Sequence, residues 1–167
     1  NHSRYDLLAQ AYIPIMSDEV SHSLLQAYLP DFCEAVDLVV SPSASMEKIL
    51  RQLGVNGHIE VVPNGVDLQK FHQPKPSSRS EFGFTEKDVL LVYAGRIAPE
   101  KNISFLLQSF AGIAQILPNV YLLIVGGGKK QFEEEVQNLI VQLGIANRVH
   151  STGMIAYEDI PSYLSMG

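Results

Sequence analysis

Gly95-Arg96-Ile97-Ala98-Pro99-Glu100-Lys101-Asn102 sets an arginine and a lysine in one short loop between an apolar strand and a helix. Arginine offers a planar fork that matches phosphate oxygens, and lysine a mobile point charge. A glycine ahead of them lets the backbone turn sharply and come close to a ligand. The helix that follows adds a positive partial charge at its N-terminus. Two cations in such a loop suit a leaving diphosphate, whose developing charge needs electrostatic stabilisation. The competing reading is local: Arg96 pairs with Glu100 and faces only solvent.

Gly126-Gly127-Gly128-Lys129-Lys130 is a second strand–glycine–helix junction, directly after the apolar run Val120–Val125. As a dinucleotide fingerprint it fails, because the third glycine position holds Gln131 and the end of the next strand, Ser151-Thr152, carries no ribose carboxylate. A nicotinamide dehydrogenase is therefore disfavoured. The triplet reads as a close backbone approach near the ligand, with Gly126 and Gly127 as binding positions, or as a tight turn. Lys129 and Lys130 read as solvated. His2-Ser3-Arg4-Tyr5-Asp6 is dense in reactive side chains, and a histidine there could act on an acceptor hydroxyl or steady a sugar. The bland reading of that stretch is a disordered terminus. His22, His58, His72 and His150 show no ligand spacing. Glu133, Glu134 and Glu135 read as a helix start favouring the dipole rather than as metal ligands. Asp67 reads as a cap on a turn. No metal site is expected.

The elements that position these loops alternate. Ser17-Asp18-Glu19 reads as a helix start, with Val20, Leu24, Ala27 and Tyr28 at helical spacing and Pro30 as the stop. A short helix over Asp31–Ala35 follows, then a strand over Asp37–Val40. Met46, Ile49, Leu50 and Leu53 form one helix face, closed by Gly54, and Ile59–Val62 is a strand. From Val66 to about Ser80 the pattern lapses into a Pro/Ser linker. It restarts as strand Val89–Ala94, helix Ile103–Leu117, strand Val120–Val125, helix Phe132–Leu143, strand Arg148–Ser151 and a helix over Tyr157–Met166. This order predicts parallel sheets with right-handed crossovers.

The bulk numbers fit that class. The 167 residues are 46% hydrophobic and 18% charged, with net charge −6, so the chain is globular and broad electrostatics disfavour nucleic acid. One cysteine, Cys33, excludes a disulfide framework and a Cys-rich zinc site, and reads as a buried helix residue. The apolar runs are strand-sized, far short of a membrane span. The start on Asn1 and the abrupt end at Gly167 lead to the expectation that the chain is truncated at both ends.

Pro63-Asn64-Gly65-Val66-Asp67 with Phe71, then Gly95-Arg96 with Glu100-Lys101-Asn102, then Val125-Gly126 and Val149…Gly153 resemble the large group-1 (family 4) retaining glycosyltransferases of GT-B fold. The resemblance runs from about Asp37 to Gly167 in order and spacing. It implies an α/β fold of two Rossmann-like domains, both incomplete, with parallel sheets flanked by helices, meeting at a cleft. Residues 1–72 would be the C-terminal part of an N-terminal, acceptor-side domain, 73–86 a linker and domain entry, and 87–167 the first half of a C-terminal, nucleotide-sugar-binding domain. In that family the loop's Arg and Lys grip the donor diphosphate, which implicates Arg96 and Lys101, with Gly95 beside them. His2-Ser3-Arg4-Tyr5, with Tyr12-Ile13-Pro14, looks like the stretch found in the lipid-directed branch, which includes diacylglycerol glucosyltransferases and phosphatidylinositol mannosyltransferases. It would make His2 the active-site histidine near the transferred sugar.

The resemblance implies transfer of a hexose from a UDP- or GDP-sugar to an acceptor hydroxyl, with retention and no resident cofactor. No Mg²⁺ is implied, since no Asp-x-Asp occurs. The acceptor would be a small molecule or a lipid, and the location cytoplasmic, with peripheral contact to the inner face of a membrane through a preceding segment. The family's E-x7-E signature would fall beyond Gly167, so this stretch alone is expected to be inactive. The alternative is a noncatalytic nucleotide-binding or assembly module of the same fold.

Overall fold

The computed structural model describes Ile13, residues 17–72 and residues 79–167. The chain divides into two compact units, Asn1–Val66 and Asp67–Gly167. His2 and its neighbours Arg4 and Tyr5, Tyr12 and Pro14, and the prolines of the Pro/Ser stretch, Pro74 and Pro76, lie outside the described residues. No helix among the described residues is long and apolar enough to cross a membrane.

In the first unit, helix α1 spans Asp18–Glu34, and the Ser17 hydroxyl accepts the Val20 N–H at 3.3 Å, as a capping serine should. The helix does not stop at Pro30, as the sequence pattern suggests, nor does a separate one start at Asp31; it runs through the proline. An interior proline costs about 3 kcal/mol. Leu29 and Cys33, on either side of it, are both buried in the unit's core, and a fully buried aliphatic side chain contributes about 1.5–3 kcal/mol. Keeping that stripe on one helix outweighs the lost backbone bond. Burial also pushes the Cys33 thiol pKa up, so it is a neutral packing group rather than a nucleophile. Strand β1 (Val39–Ser41) pairs in parallel with β2 (Ile59–Val61). Between them lies α2 (Ala44–Gln52), whose Met46 N–H is capped by the Ser43 hydroxyl at 3.2 Å. Gly54, at φ 95°, turns the chain out of α2. Leu50, Leu53, Val55 and Ile59 close the core beneath them.

The second unit opens with a short helix, α3 (Leu68–His72), in the stretch where the apolar periodicity lapses. Asp67 caps it, its Oδ1 accepting the Gln69 N–H at 3.2 Å. Strands β3 (Val89–Ala94), β4 (Val120–Val125) and β5 (Val149–Ser151) form a parallel sheet in that spatial order. Helices α4 (Ile103–Ile116) and α5 (Lys130–Gln142) make the crossovers. A 3-10 turn over Tyr157–Asp159 leads into α6 (Ile160–Leu164), which is shorter than the pattern over Tyr157–Met166 suggests.

The continuous apolar run of β4 has a simple cause. Val120, Leu122 and Ile124 face Leu107, Phe110 and Ile140 of α4 and α5, while Leu123 and Val125 face Phe84, Leu90 and Met166 on the other side. Both faces are covered, so neither needs polar residues. His150, given no chemical role by its spacing, sits edge-on to Phe84 with ring centroids 4.9 Å apart and is part of this packing.

At the entry to β3, the Asp88 carboxylate accepts the Thr85 backbone N–H at 2.7 Å and the Thr85 hydroxyl at 2.8 Å. These bonds, the backbone one first, hold its pKa below the ordinary carboxylate value. A carboxyl depressed in the folded state stabilises fully above its unfolded pKa, near 4, and that stability is lost as pH falls through the folded pKa. The melting temperature of the parent should therefore drop towards that of Asp88→Asn below about pH 4. A constant gap between the two melting curves from pH 7 to pH 2 contradicts this assignment.

Candidate functional site

The site is built where β3 ends. Gly95 to Asn102 lie beyond the carboxyl end of the strand, the side on which open parallel sheets bind ligands. The backbone of this loop is fixed at several points. Gly95 N–H donates to Val125 O at 2.9 Å and Ile97 N–H to Gly127 O at 2.9 Å, so the β3–β4 ladder continues past the ends of the strands. Ile97 and Ala98 are buried and anchor the loop from below. Pro99–Lys101 then forms one turn of 3-10 helix. Asn102 adopts the left-handed conformation at φ 50° and ψ 45°, and its carbonyl accepts from Phe105 and Leu106 to start α4. Few residues tolerate that conformation, and asparagine and glycine are the chief ones. The residue type after Lys101 is thus set by backbone geometry.

Arg96 and Lys101 are both exposed on this loop. Arg96 Nη2 contacts Glu100 Oε1 at 2.9 Å, with the arginine side chain 72% exposed and the glutamate 16%. The local pairing therefore exists. It does not exhaust the guanidinium, which carries five donors and is largely exposed, so an anion can reach its remaining N–H groups.

Tyr93, one residue before the end of β3, is a part of the loop that the sequence pattern does not reveal. Its ring packs against the α4 side of the core, and its hydroxyl donates to the Arg96 carbonyl at 3.0 Å. Burial, and secondarily the Glu100 carboxylate, raise its pKa, so it remains a protonated donor. Gly95 makes room for this: a β-carbon there would lie 2.7 Å from the Tyr93 hydroxyl oxygen.

The glycine triplet meets the same loop. Gly126 sits at φ 126°, and a β-carbon on it would overlap the Gly95 carbonyl oxygen. One on Gly128 would overlap the Ile97 carbonyl oxygen. One on Gly127 would lie 2.9 Å from Glu133 Oε1 and 3.2 Å from the Met154 nitrogen. Gly126 N–H bonds the Gly153 carbonyl at 3.1 Å, which joins the loop after β5. The close approach foreseen for these glycines is thus, in the first place, between protein backbones. Glu133 Oε1 accepts the Gly128 N–H at 2.8 Å, a capping contact at the start of α5. Lys130 is solvated as its position suggests, its side chain 90% exposed, with Glu134 at 3.6 Å.

The structure thus brings Gly95, Arg96, Lys101, Gly126 and Gly127 to one end of one sheet; His2 lies outside the described residues. A cavity of about 280 Å³ lies between the starts of α4 and α5, lined by Ile97, Pro99, Asn102, Ser104, Phe132 and Glu135 among others. Neither Arg96 nor Lys101 lines it, and it is not the centre of the cationic loop. Among the described residues no group of three or more His, Cys, Asp and Glu side chains is placed to hold a metal ion.

These features define an α/β unit with a parallel sheet whose carboxyl end carries a cationic loop and a glycine triplet, and comparison with known proteins narrows it. The model of "Glycosyl transferases group 1" matches residues 74–166 and that of "Glycosyltransferase Family 4" matches residues 1–70. The chain belongs to the group 1 glycosyltransferases. It is 30% identical over 149 residues to the alpha-monoglucosyldiacylglycerol synthase of Streptococcus pneumoniae, covering 84% of this chain and 33% of that protein. It is 28% identical over 148 residues to a GDP-mannose-dependent alpha-(1-6)-phosphatidylinositol monomannoside mannosyltransferase of Mycobacterium tuberculosis, covering 86% of this chain and 37% of that one. The chain thus spans about a third of the length of the curated relatives it matches. Among solved structures, sucrose-phosphate synthase from Thermosynechococcus elongatus superposes with a TM-score of 0.75 at 25% identity, over 98% of this chain and 41% of that one. Anabaena HepE in complex with UDP and glucose superposes at 0.67 and 23% identity, over 84% and 39%, which shows the fold alone. The structural neighbours are GT-B glycosyltransferases, and the parallel sheets flanked by helices are of that type.

Proposed function

We propose that the chain is part of a retaining hexosyltransferase that uses a nucleoside-diphosphate sugar. The observation that carries this reading is the exposure of Arg96 and Lys101 together on a backbone-anchored loop at the carboxyl end of β3, beside the N-terminus of α4. In this reading residues 87–167 bind the donor and residues 1–72 belong to the acceptor side. Arg96 and Lys101 bind the diphosphate and stabilise the charge that develops as the bond from the sugar's anomeric carbon to the diphosphate oxygen breaks. Gly95, Gly126 and Gly127 let the donor approach the main chain, and His2 stands near the transferred sugar. The acceptor hydroxyl attacks on the face the diphosphate leaves, and its proton passes to the departing phosphate oxygen. The new bond then has the configuration of the old one. Two side-chain cations neutralise the diphosphate, and the proposal includes no metal.

The names of the lipid-directed relatives support a lipid acceptor, and contact with a membrane surface on the cytoplasmic side belongs to the same proposal. The test is a thermal-shift series on the intact protein with UDP- and GDP-sugars, with and without a chelator. A donor at a hundredfold excess over its Kd adds roughly 2.7 kcal/mol to stability. One base class should raise the melting temperature, equally in both conditions. Absence of any shift with either class sinks the donor assignment, and a shift abolished by chelator sinks the metal-free clamp.

A further inference from the structure

Tyr93 closes a contact that the diphosphate reading leaves unexplained. In the first half of the loop no side chain of its own reaches the core before Ile97: Arg96 is exposed and Gly95 brings no side chain. The main chain at Gly95 is tied to Val125 at the end of β4 and that at Ile97 to Gly127 of the glycine triplet, and the carbonyl of Arg96 lies between those ties. It is taken by the Tyr93 hydroxyl at 3.0 Å. The tyrosine ring is rooted in the core against α4 and folds over Gly95, where a β-carbon would meet Oη at 2.7 Å and Cζ at 3.1 Å. On the other side of the loop, Glu100 holds the Arg96 guanidinium at 2.9 Å. The arginine is thus gripped by its backbone from the strand and by its side chain from the 3-10 turn.

We infer that Tyr93 is a positioning residue for the diphosphate site: its hydroxyl fixes the Arg96 main chain so that the guanidinium is presented to the ligand ready-placed. This rests on the assignment of Arg96 to the diphosphate. The strut lowers the ordering cost of binding, because a side chain whose backbone is already fixed has less freedom to lose. A phenylalanine would keep the packing and lose only the hydrogen bond. Since the Arg96 carbonyl lies at an exposed residue, water can replace the lost partner, and the fold itself should be little affected.

The experiment is a double-mutant cycle in the intact protein, with UDP and GDP as the probes and calorimetric Kd as the readout. Tyr93→Phe should weaken binding of the preferred diphosphate about five-fold, the size of one net hydrogen bond, with the unliganded melting temperature unchanged. In an Arg96→Ala background the same change should do nothing. If Tyr93→Phe is neutral while Arg96→Ala weakens binding, the positioning role falls and the clamp stands. If Tyr93→Phe costs as much without Arg96 as with it, the tyrosine acts on the fold in general and the inference falls. If Arg96→Ala leaves both affinities unchanged, the clamp falls and takes this inference with it.

Discussion

Arg96→Ala and Lys101→Ala should each lower turnover of the intact protein on the order of 10²-fold, several kcal/mol of transition-state stabilisation. The loop's backbone does not depend on either side chain: it is held by the Gly95 and Ile97 N–H groups, the buried Ile97 and Ala98, and the Asn102 turn. Both substitutions should therefore leave the unliganded melting temperature nearly unchanged, which separates a charge effect from a folding effect. The two residues should differ in kind. Arginine presents a fixed fork, so Arg96→Lys should recover little, whereas Lys101→Arg keeps a charge at the end of a mobile chain and should recover more. The Glu100 pair acts in two opposed ways. Removing Glu100 takes away a competitor for the guanidinium but also its lateral support. Near-normal kcat/KM in both alanine variants would falsify the diphosphate assignment.

The loop was legible in the sequence because its cues are local. A glycine after an apolar strand, two cations and a helix start can be read from eight residues. The strands β3 and β4 were legible for the same reason: each is a short apolar run bounded by turn residues. Burial holds for β4, but in β3 only Leu90 is buried, while Val89 and Leu91 are exposed. What was not legible depends on contacts far apart in sequence. Pro30 reads as a helix stop, and only the burial of Leu29 and Cys33 against Leu50 and Val55 explains why α1 continues. Tyr93 sits within an apolar run and reads as core; nothing in the run says that its hydroxyl turns back to Arg96. The helix Leu68–His72 has no buried residue to give it a period, and Asp67 was readable only as a cap on a turn, not as the start of a helix. The glycine triplet announces a close approach without naming the partner, since ligand and backbone demand the same missing β-carbon.

That partner makes the last prediction the most severe for stability. Gly128→Ala places a methyl group onto the Ile97 carbonyl oxygen, and Gly126→Ala places one onto the Gly95 carbonyl oxygen at a φ of 126° that L-residues rarely adopt. Neither obstacle is a flexible side chain that could swing away; both are main chain, tied into the extended β3–β4 ladder by the Gly95 and Ile97 bonds. The loop must move as a whole, and overpacking of this kind costs about 1–3 kcal/mol. Strain from the positive φ adds about 1 kcal/mol more at Gly126. Because the carbonyls displaced belong to residues flanking Arg96, diphosphate affinity should fall together with stability. Gly112→Ala provides the opposite sign. Gly112 lies inside α4 with nothing within 4 Å of its would-be β-carbon, so alanine there should stabilise by about 0.5–1 kcal/mol through helix propensity. Denaturant unfolding of the three variants reads both signs in one series. If Gly128→Ala does not destabilise, the two loops do not lean on each other, and the glycines must be explained by the ligand alone.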